Sequence, residues 1–219
     1  MKEFNIDAVI LFNVEKLVIV GYMEVNGFDI NEVYNIMPIN NINKVLQHGI
    51  LCYNKAISLH PESIASFEIQ QLRSIKSVPN GHALHEYANL YFDARNPMMF
   101  KHRRRNDICV LRISEDVFNL NDVVLSDRNA ASDYATYYTV EDINKLDFNL
   151  IFARDWTCPG DPIGYYKRKK VKCAEILVKD RVPQNLIVGA YVKNDLIKIN
   201  LENQGFNREI LINEDIFFG

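Results

Sequence analysis

The stretch with the clearest chemical potential is KVKCAEILVKDRVP, Lys170 to Pro183. From Val171 to Val178 it reads as a short strand, with Cys173 and Leu177 on one face and Ala174 and Ile176 on the other, because side chains alternate along a strand. Glu175 sits in the middle of it among apolar neighbours. An unpaired carboxylate in such a place is costly or takes up a proton, so it needs a partner or a task. It can stabilise a developing positive charge, hold a hydroxyl or accept a proton. The plain alternative is a strand-end glutamate paired with a lysine.

Three further pieces have types and spacing that could serve such a carboxylate. Arg73, in IQQLRSIK, offers a planar fork for oxyanions. LHEYANLYFDARNPMMF, Leu84 to Phe100, is an aromatic-rich run ending in an Arg-Asn-Pro turn, and SDRNAASD, Ser126 to Asp133, is a small-residue polar loop directly after a strand. Each also has an ordinary reading: a solvated helix residue, a core strand and a turn.

The elements that must position these groups follow from pattern. The chain has 219 residues, 48% of them hydrophobic, enough for one globular unit with a full core. The two β-rich runs AVILFNV and KLVIVGYMEV lie within residues 7–25 and precede an Asn26-Gly27 turn signal, which suggests a hairpin or a pair of strands. INNINKVLQHG predicts a helix capped by Asn40 or Asn41 and ended by Gly49. Pro61 to Lys76 predicts a second helix, with Ile64, Phe67, Leu72 and Ile75 supplying its apolar face. Strands are predicted at YANLYF, ICVLRI and VVLS, a short helix at VEDINKL, and a Pro/Gly-containing loop from Trp156 to Lys170. After the Glu175 strand come three more predicted strands, LIVGAYV, LIKINL and EILI. Helices early and strands later indicate an α+β fold with a central, mainly antiparallel sheet and N-terminal helices.

Composition narrows the function. The net charge of −3 gives no global basic character, so any nucleic-acid surface is local. Cys52, Cys109, Cys158 and Cys173 never approach a CxxC spacing, which argues against a zinc site or a disulfide framework and fits a reducing cytoplasm. Charges inside the first apolar runs exclude a signal peptide, and no run is long and apolar enough to predict a membrane span. Two basic clusters stand out. Lys101, Arg103, Arg104 and Arg105 follow the aromatic run; Lys167, Arg168, Lys169, Lys170 and Lys172 lead into the Glu175 strand, behind Tyr165 and Tyr166. Charge runs are usually solvated surface, but basic side chains beside aromatics suit a single nucleic-acid strand.

The ordered series QHGIL, QQLR, LHEYANLYFDARNPMM, SDRNAASD, Trp156 and KCAEILV resembles the DarT family of DNA ADP-ribosyltransferase toxins, over roughly Tyr34 to Val192. The resemblance implies an ADP-ribosyltransferase-like domain over residues 34–219, with residues 1–33 as a β-rich addition. It implies Glu175 as the catalytic glutamate and Arg73 beside it in the NAD site, with Asn35, Asn41, Tyr91 and Asn129 as further NAD-binding residues. The segment from Asp155 to Lys170 then faces the acceptor, and Arg103, Arg104, Arg105, Tyr165, Tyr166, Lys167, Arg168 and Lys169 contact nucleic acid. The family's start stretch usually carries histidines; here it reads Tyr34-Asn35-Ile36-Met37-Pro38, with none.

The chemistry suits these residue types. Breaking the bond to nicotinamide builds positive charge on the ribose, which a fixed carboxylate can stabilise, while a guanidinium holds pyrophosphate or ribose oxygens. No metal is required. Neither GxGxxG nor a P-loop is present, so NAD is expected as a consumed substrate outside a Rossmann site. The implied activity is mono-ADP-ribosylation of a base in single-stranded DNA, guanine favoured over thymine, by the toxin of a toxin–antitoxin pair whose partner is a macrodomain antitoxin of the DarG type. Transfer to RNA or protein, or an inactive nucleic-acid-binding relative, are the alternatives.

Overall fold

The computed structural model describes residues 23–219. AVILFNV and most of KLVIVGYMEV fall outside the described residues. The end of the second run forms β1 (Met23–Val25), which turns through Asn26 and Gly27, both at positive φ, into β2 (Phe28–Ile30). Two successive positive-φ residues match the right-handed twist of a hairpin, which is why Asn-Gly suits the turn.

The remaining elements follow in order. They are β3 (Glu32–Pro38), α1 (Ile42–His48), β4 (Ile50–Leu51), α2 (Tyr53–Ala56), α3 (Phe67–Ser74), β5 (Tyr87–Tyr91), α4 (Pro97–His102), β6 (Ile108–Ser114), β7 (Val123–Ser126) and β8 (Tyr137–Tyr138). Then come α5 (Phe148–Ile151), α6 (Pro162–Val171), β9 (Glu175–Lys179), β10 (Arg181–Val182), β11 (Ile187–Val192), α7 (Asp195–Asn203) and β12 (Glu209–Ile212). Eight strands form one sheet in the order β12-β11-β6-β3-β5-β9-β7-β8, antiparallel throughout except where β11 meets β12. The α+β architecture expected from sequence is the one observed.

The sheet holds two kinds of core. Ala174, Ile176 and Val178 point into the large cluster with Leu90, Leu111, Leu125 and Phe148. Leu177 points the other way, into a small cluster with Leu84, Tyr87 and Ala130. Glu175 shares that second face, since residues two apart on a strand do.

Several elements depart from expectation. The predicted loop from Trp156 to Lys170 contains α6, started by Asp161, whose carboxylate accepts from the Gly164 N–H at 2.9 Å, with Pro162 in the first turn. An Asp cap followed by Pro is a helix start, and the charges that follow are its solvated side. LIKINL belongs to α7 rather than a strand: Asn194 caps it and only Ile197 and Leu201, four apart, are buried, so the relevant period is helical. The second predicted helix is shorter, α3 only; of the four apolar residues expected to face inward, only Ile64, which lies ahead of α3, is buried. Phe67, Leu72 and Ile75 are exposed, and the residue α3 buries is Arg73. The Glu175 strand starts at Glu175 itself, because α6 runs to Val171 and leaves only a short turn before it.

Candidate active site

Glu175 opens β9 between two neighbours, opposite Tyr91 on β5 and Ser126 on β7. It is fully buried, yet it lines a cavity of about 900 Å³. Two donors hold it. The Arg73 guanidinium donates to Oε2 at 2.9 Å, and the Ala130 backbone N–H donates to Oε1 at 3.3 Å. The single carboxylate thus has one partner from α3 and one from the Asn129–Ala131 loop.

Each of those supports is itself fixed. Ser66 caps α3 by accepting from the Ile69 N–H. The loop is clamped at Ala131, where Lys76 donates to the carbonyl at 2.6 Å while also pairing with Asp133. Tyr137 donates to the Ala130 carbonyl at 2.7 Å, and Asn129 Oδ1 accepts from the Ala131 N–H at 3.0 Å. Charge and burial leave their mark on the surroundings. Burial opposes the Arg73 charge, but the Glu175 carboxylate outweighs it and keeps the guanidinium's pKa above its ordinary value. Burial, reinforced by the Glu175 charge, pushes the Tyr91 hydroxyl well above the ordinary phenol range and raises the Cys173 thiol to about 12. Both therefore stay neutral.

A second chamber of about 530 Å³ adjoins the first, and Gln70, Asn89, Tyr91 and Met98 line both. Asn35 and Asn41 line the second chamber. Their side chains also tie its walls together. Asn35 donates to the Asn89 carbonyl at 3.0 Å, and Asn41 donates to the Glu62 carbonyl at 2.8 Å while accepting from the Glu62 N–H at 2.9 Å. Asn129 stands on the larger chamber with Arg73 and Glu175. The structure therefore gathers Glu175, Arg73, Tyr91 and Asn129 on one cavity and brings Asn35 and Asn41 to its neighbour.

The basic residues separate into two groups. Lys167, Arg168 and Arg104 are exposed; Lys169 and Tyr165 line the larger chamber, and Tyr166 is exposed on the same helix, α6. Arg103 is half-buried, its guanidinium 3.9 Å from the Phe100 ring centroid. Arg105 and Lys172 are committed elsewhere. Arg105 pairs with Glu62 and Asp107 at 2.5 Å each, and Lys172 is buried, pairing with Asp93 and donating to the Ile151 carbonyl at 2.8 Å. Their carboxylate partners neutralise them, which corrects the expectation that both belong to a phosphate-binding run. Among the described residues, no group of three or more His, Cys, Asp or Glu side chains is arranged to hold a metal ion.

Sequence reasoning did not single out Gln70, Asn89, Lys76, Phe100 or Phe218 as site residues; all but Phe218 lie within stretches it had marked, and Trp156 had been noted in the ordered series.

The eight-stranded sheet thus carries a buried Arg–Glu pair on the wall of one of two adjoining chambers. Comparison with solved structures agrees on the fold. The structure described as Thermosipho africanus DarTG in complex with ADP-ribose aligns with a TM-score of 0.73 at 23% identity, covering 86% of this chain and 51% of that one. That of Thermus sp. 2.9 DarT in complex with ADP-ribosylated ssDNA aligns at 0.71 and 24% identity, covering 85% and 96%. Among curated proteins, a DNA ADP-ribosyl transferase–DNA ADP-ribosyl glycohydrolase fusion protein of Thermosipho africanus is 27% identical over 193 residues, 85% of this chain and 49% of its own length. A DNA ADP-ribosyl transferase of Escherichia coli O127:H6 is 25% identical over 197 residues, 81% and 87% respectively. The chain thus spans about half the length of the fusion protein and most of the other. The family model described as "ssDNA thymidine ADP-ribosyltransferase, DarT" matches residues 34–218. The chain belongs to the DarT family, and the match continues past Val192 to the end of the described fold.

Proposed function

We propose that this protein transfers ADP-ribose from NAD+ to a base in single-stranded DNA. The observation that carries this reading is Glu175, fully buried on the cavity floor yet held by Arg73 and the Ala130 N–H, beside the junction of two chambers. NAD+ lies across that junction, held by Arg73, Asn35, Asn41, Tyr91 and Asn129. The bond between nicotinamide and the ribose C1′ breaks, and nicotinamide leaves with the bonding electrons. Glu175 stabilises the positive charge on the ribose. A base nitrogen then forms the new bond to C1′, and its proton passes to the carboxylate. Arg73 turns from its partner in the free protein into an anchor for the donor.

The acceptor enters from the side of α6, where Tyr165 and Tyr166 offer stacking faces and Lys167, Arg168 and Lys169 neutralise phosphates. Arg103 and Arg104 extend the basic surface; Arg105, already paired, stiffens it. The structures of Thermus sp. 2.9 DarT in complex with NAD+ and with ADP-ribosylated ssDNA support this donor and acceptor. The acceptor base is guanine, on the ground that the start stretch Tyr34–Pro38 lacks histidines. Thymine is the second reading, favoured by the family description. The protein acts as a toxin, and its partner is a macrodomain antitoxin of the DarG type, supported by the fusion of one relative to a DNA ADP-ribosyl glycohydrolase. No helix among the described residues is long and apolar enough to cross a membrane.

The test offers labelled NAD+ with single-stranded DNA, RNA and protein. Label on DNA alone is expected; label on RNA or protein reassigns the acceptor, and none at all reduces the protein to a binder. Oligonucleotides each lacking one base, weighed for the adduct, then decide the base. Modification of a guanine-free strand, with none on a thymine-free strand, would replace guanine by thymine.

A further inference from the structure

No motif marks the stretch Asn213–Phe218, yet it closes one side of the larger chamber. Its first part is a short turn capped by Asn213, and Phe217 is buried beneath it. Phe218 is different: it is half-buried, lines the chamber and sits at a φ of 60°. A bulky residue in the left-handed region is uncommon, and it persists where the surroundings fix it. Here they do. The Phe218 ring meets Phe100 edge-on at 5.1 Å and Trp156 edge-on at 5.6 Å, and the Arg95 guanidinium lies 4.2 Å from its centroid.

Asp215 ties this arrangement to the adjoining segment around Arg154. Its carboxylate accepts from both terminal nitrogens of Arg154, at 2.9 and 2.5 Å. Arg95 joins the two segments, donating to the Asp215 carbonyl at 3.1 Å and to the Arg154 carbonyl at 2.7 Å. The segment that leads from Arg154 to Trp156 is therefore held by the stretch around Asp215, and the two together present an aromatic wall to the cavity that contains Glu175. The same cavity is lined by Lys169 of the basic helix. An aromatic wall beside phosphate-neutralising lysines is what holds an unstacked base.

We propose that Phe218, held in place by Asp215 and Arg95, is a stacking face for the acceptor nucleotide and a determinant of how tightly DNA is held in front of Glu175. This rests on the reading that the acceptor enters the larger chamber from the side of α6. The experiment separates the two. Incorporation of labelled ADP-ribose into an oligonucleotide by the unaltered protein tests the transferase reading, and its failure sinks that reading alone.

The wall is tested by Phe218→Leu, which keeps apolar packing on Trp156 but removes the aromatic face, and by Phe218→Tyr, which restores it. Phe218→Leu is expected to raise KM for the oligonucleotide roughly five- to a hundredfold, to leave KM for NAD+ within about twofold, and to be rescued by Phe218→Tyr. Equal KM values for the leucine and unaltered proteins, or a parallel rise in both KM values, overturn the proposal. Trp156 is the single tryptophan of the chain, so its emission reports the wall directly and needs neither transfer nor a variant. Saturating oligonucleotide, added without NAD+, is expected to quench it in the unaltered protein; unchanged emission overturns the proposal even if Phe218→Leu does not fold.

Discussion

Two buried ion pairs lie on neighbouring parts of this molecule, and they do different things. Arg73–Glu175 lines a cavity; the carboxylate is fixed by a guanidinium and a backbone N–H, and both charged groups border open space that a ligand can fill. Lys172–Asp93 lines no such space with its ammonium group: that group is enclosed, meeting Asp93 and the Ile151 carbonyl. Burial lowers the Lys172 pKa, and Asp93 offsets only part of that effect. Both groups of the first pair border ligand-sized space, whereas in the second only Asp93 borders a cavity, of about 270 Å³, and the lysine is shut away from it. A buried pair becomes machinery when the space beside it allows a third group to enter; otherwise it braces the fold.

The comparison breaks most sharply at Glu175. Glu175→Ala is expected to lower kcat by roughly a thousandfold while NAD+ affinity changes far less, because the carboxylate acts mainly on the transition state. Single-turnover transfer and calorimetry check the two quantities; near-normal transfer by a folded variant would take Glu175 out of the reaction. Lys172→Met should do the opposite. Leaving Asp93 without its partner costs about 3 kcal/mol of stability, the low end for a buried pair because Asp93 keeps some solvent, and urea unfolding should show it. A midpoint unmoved by the substitution would mean that the pair braces nothing.

Arg73→Lys sharpens the contrast from the other side. It keeps the charge and loses the planar fork, so NAD+ should bind roughly tenfold more weakly, measured by calorimetry; equal affinity removes Arg73 from the donor site. Neutralising Lys167, Arg168 and Lys169 should weaken DNA of every sequence alike and flatten the salt dependence by roughly 2 in log–log slope, about 0.7 per phosphate on a single strand. An unchanged slope would identify these residues as solvated surface.

The smallest effect belongs to Arg105 and Asp107. The hydrogen bond from Arg105 holds the Asp107 carboxyl below its ordinary value of 3.8. A carboxyl lowered on folding adds stability that is complete above the unfolded pKa and fades as pH falls through the folded one. Asp107→Asn should therefore cost less than about 1 kcal/mol at neutral pH, as for other exposed pairs, and nothing in strong acid. Thermal melts at the two pH values check this, and a cost that persists in acid would need another origin.

Glu175 was legible as a candidate because a lone Glu among Ala, Ile, Leu and Val needs a partner or a task. Arg73 was harder to place. Alone it reads as a solvated residue, and α3 inverts the usual rule by exposing Phe67 and Leu72 while burying its arginine. That inversion is comprehensible only with Glu175 in place, since a long-range partner overrides local amphipathicity. The sheet was mostly readable through its apolar runs. α6 was not, because its Pro and Gly lie in its first turn, where they are tolerated. Nor could composition separate Lys172 and Arg105 from their basic neighbours. Their roles are set by Asp93, Glu62 and Asp107, and of these only Asp107 lies near its partner in sequence.

The pairing of Arg73 with Glu175 spans 102 residues of chain. At ribosomal rates of about 5–20 residues per second, Arg73 is made roughly 5 to 20 s before its partner exists. Until then a nascent chain contains the guanidinium but not its carboxylate partner. The pair closes only through non-local strand pairing, the slow kind of contact to form. The timing of site assembly is thus written into the order of the polypeptide: Arg73 stays without this partner until β9 is in place.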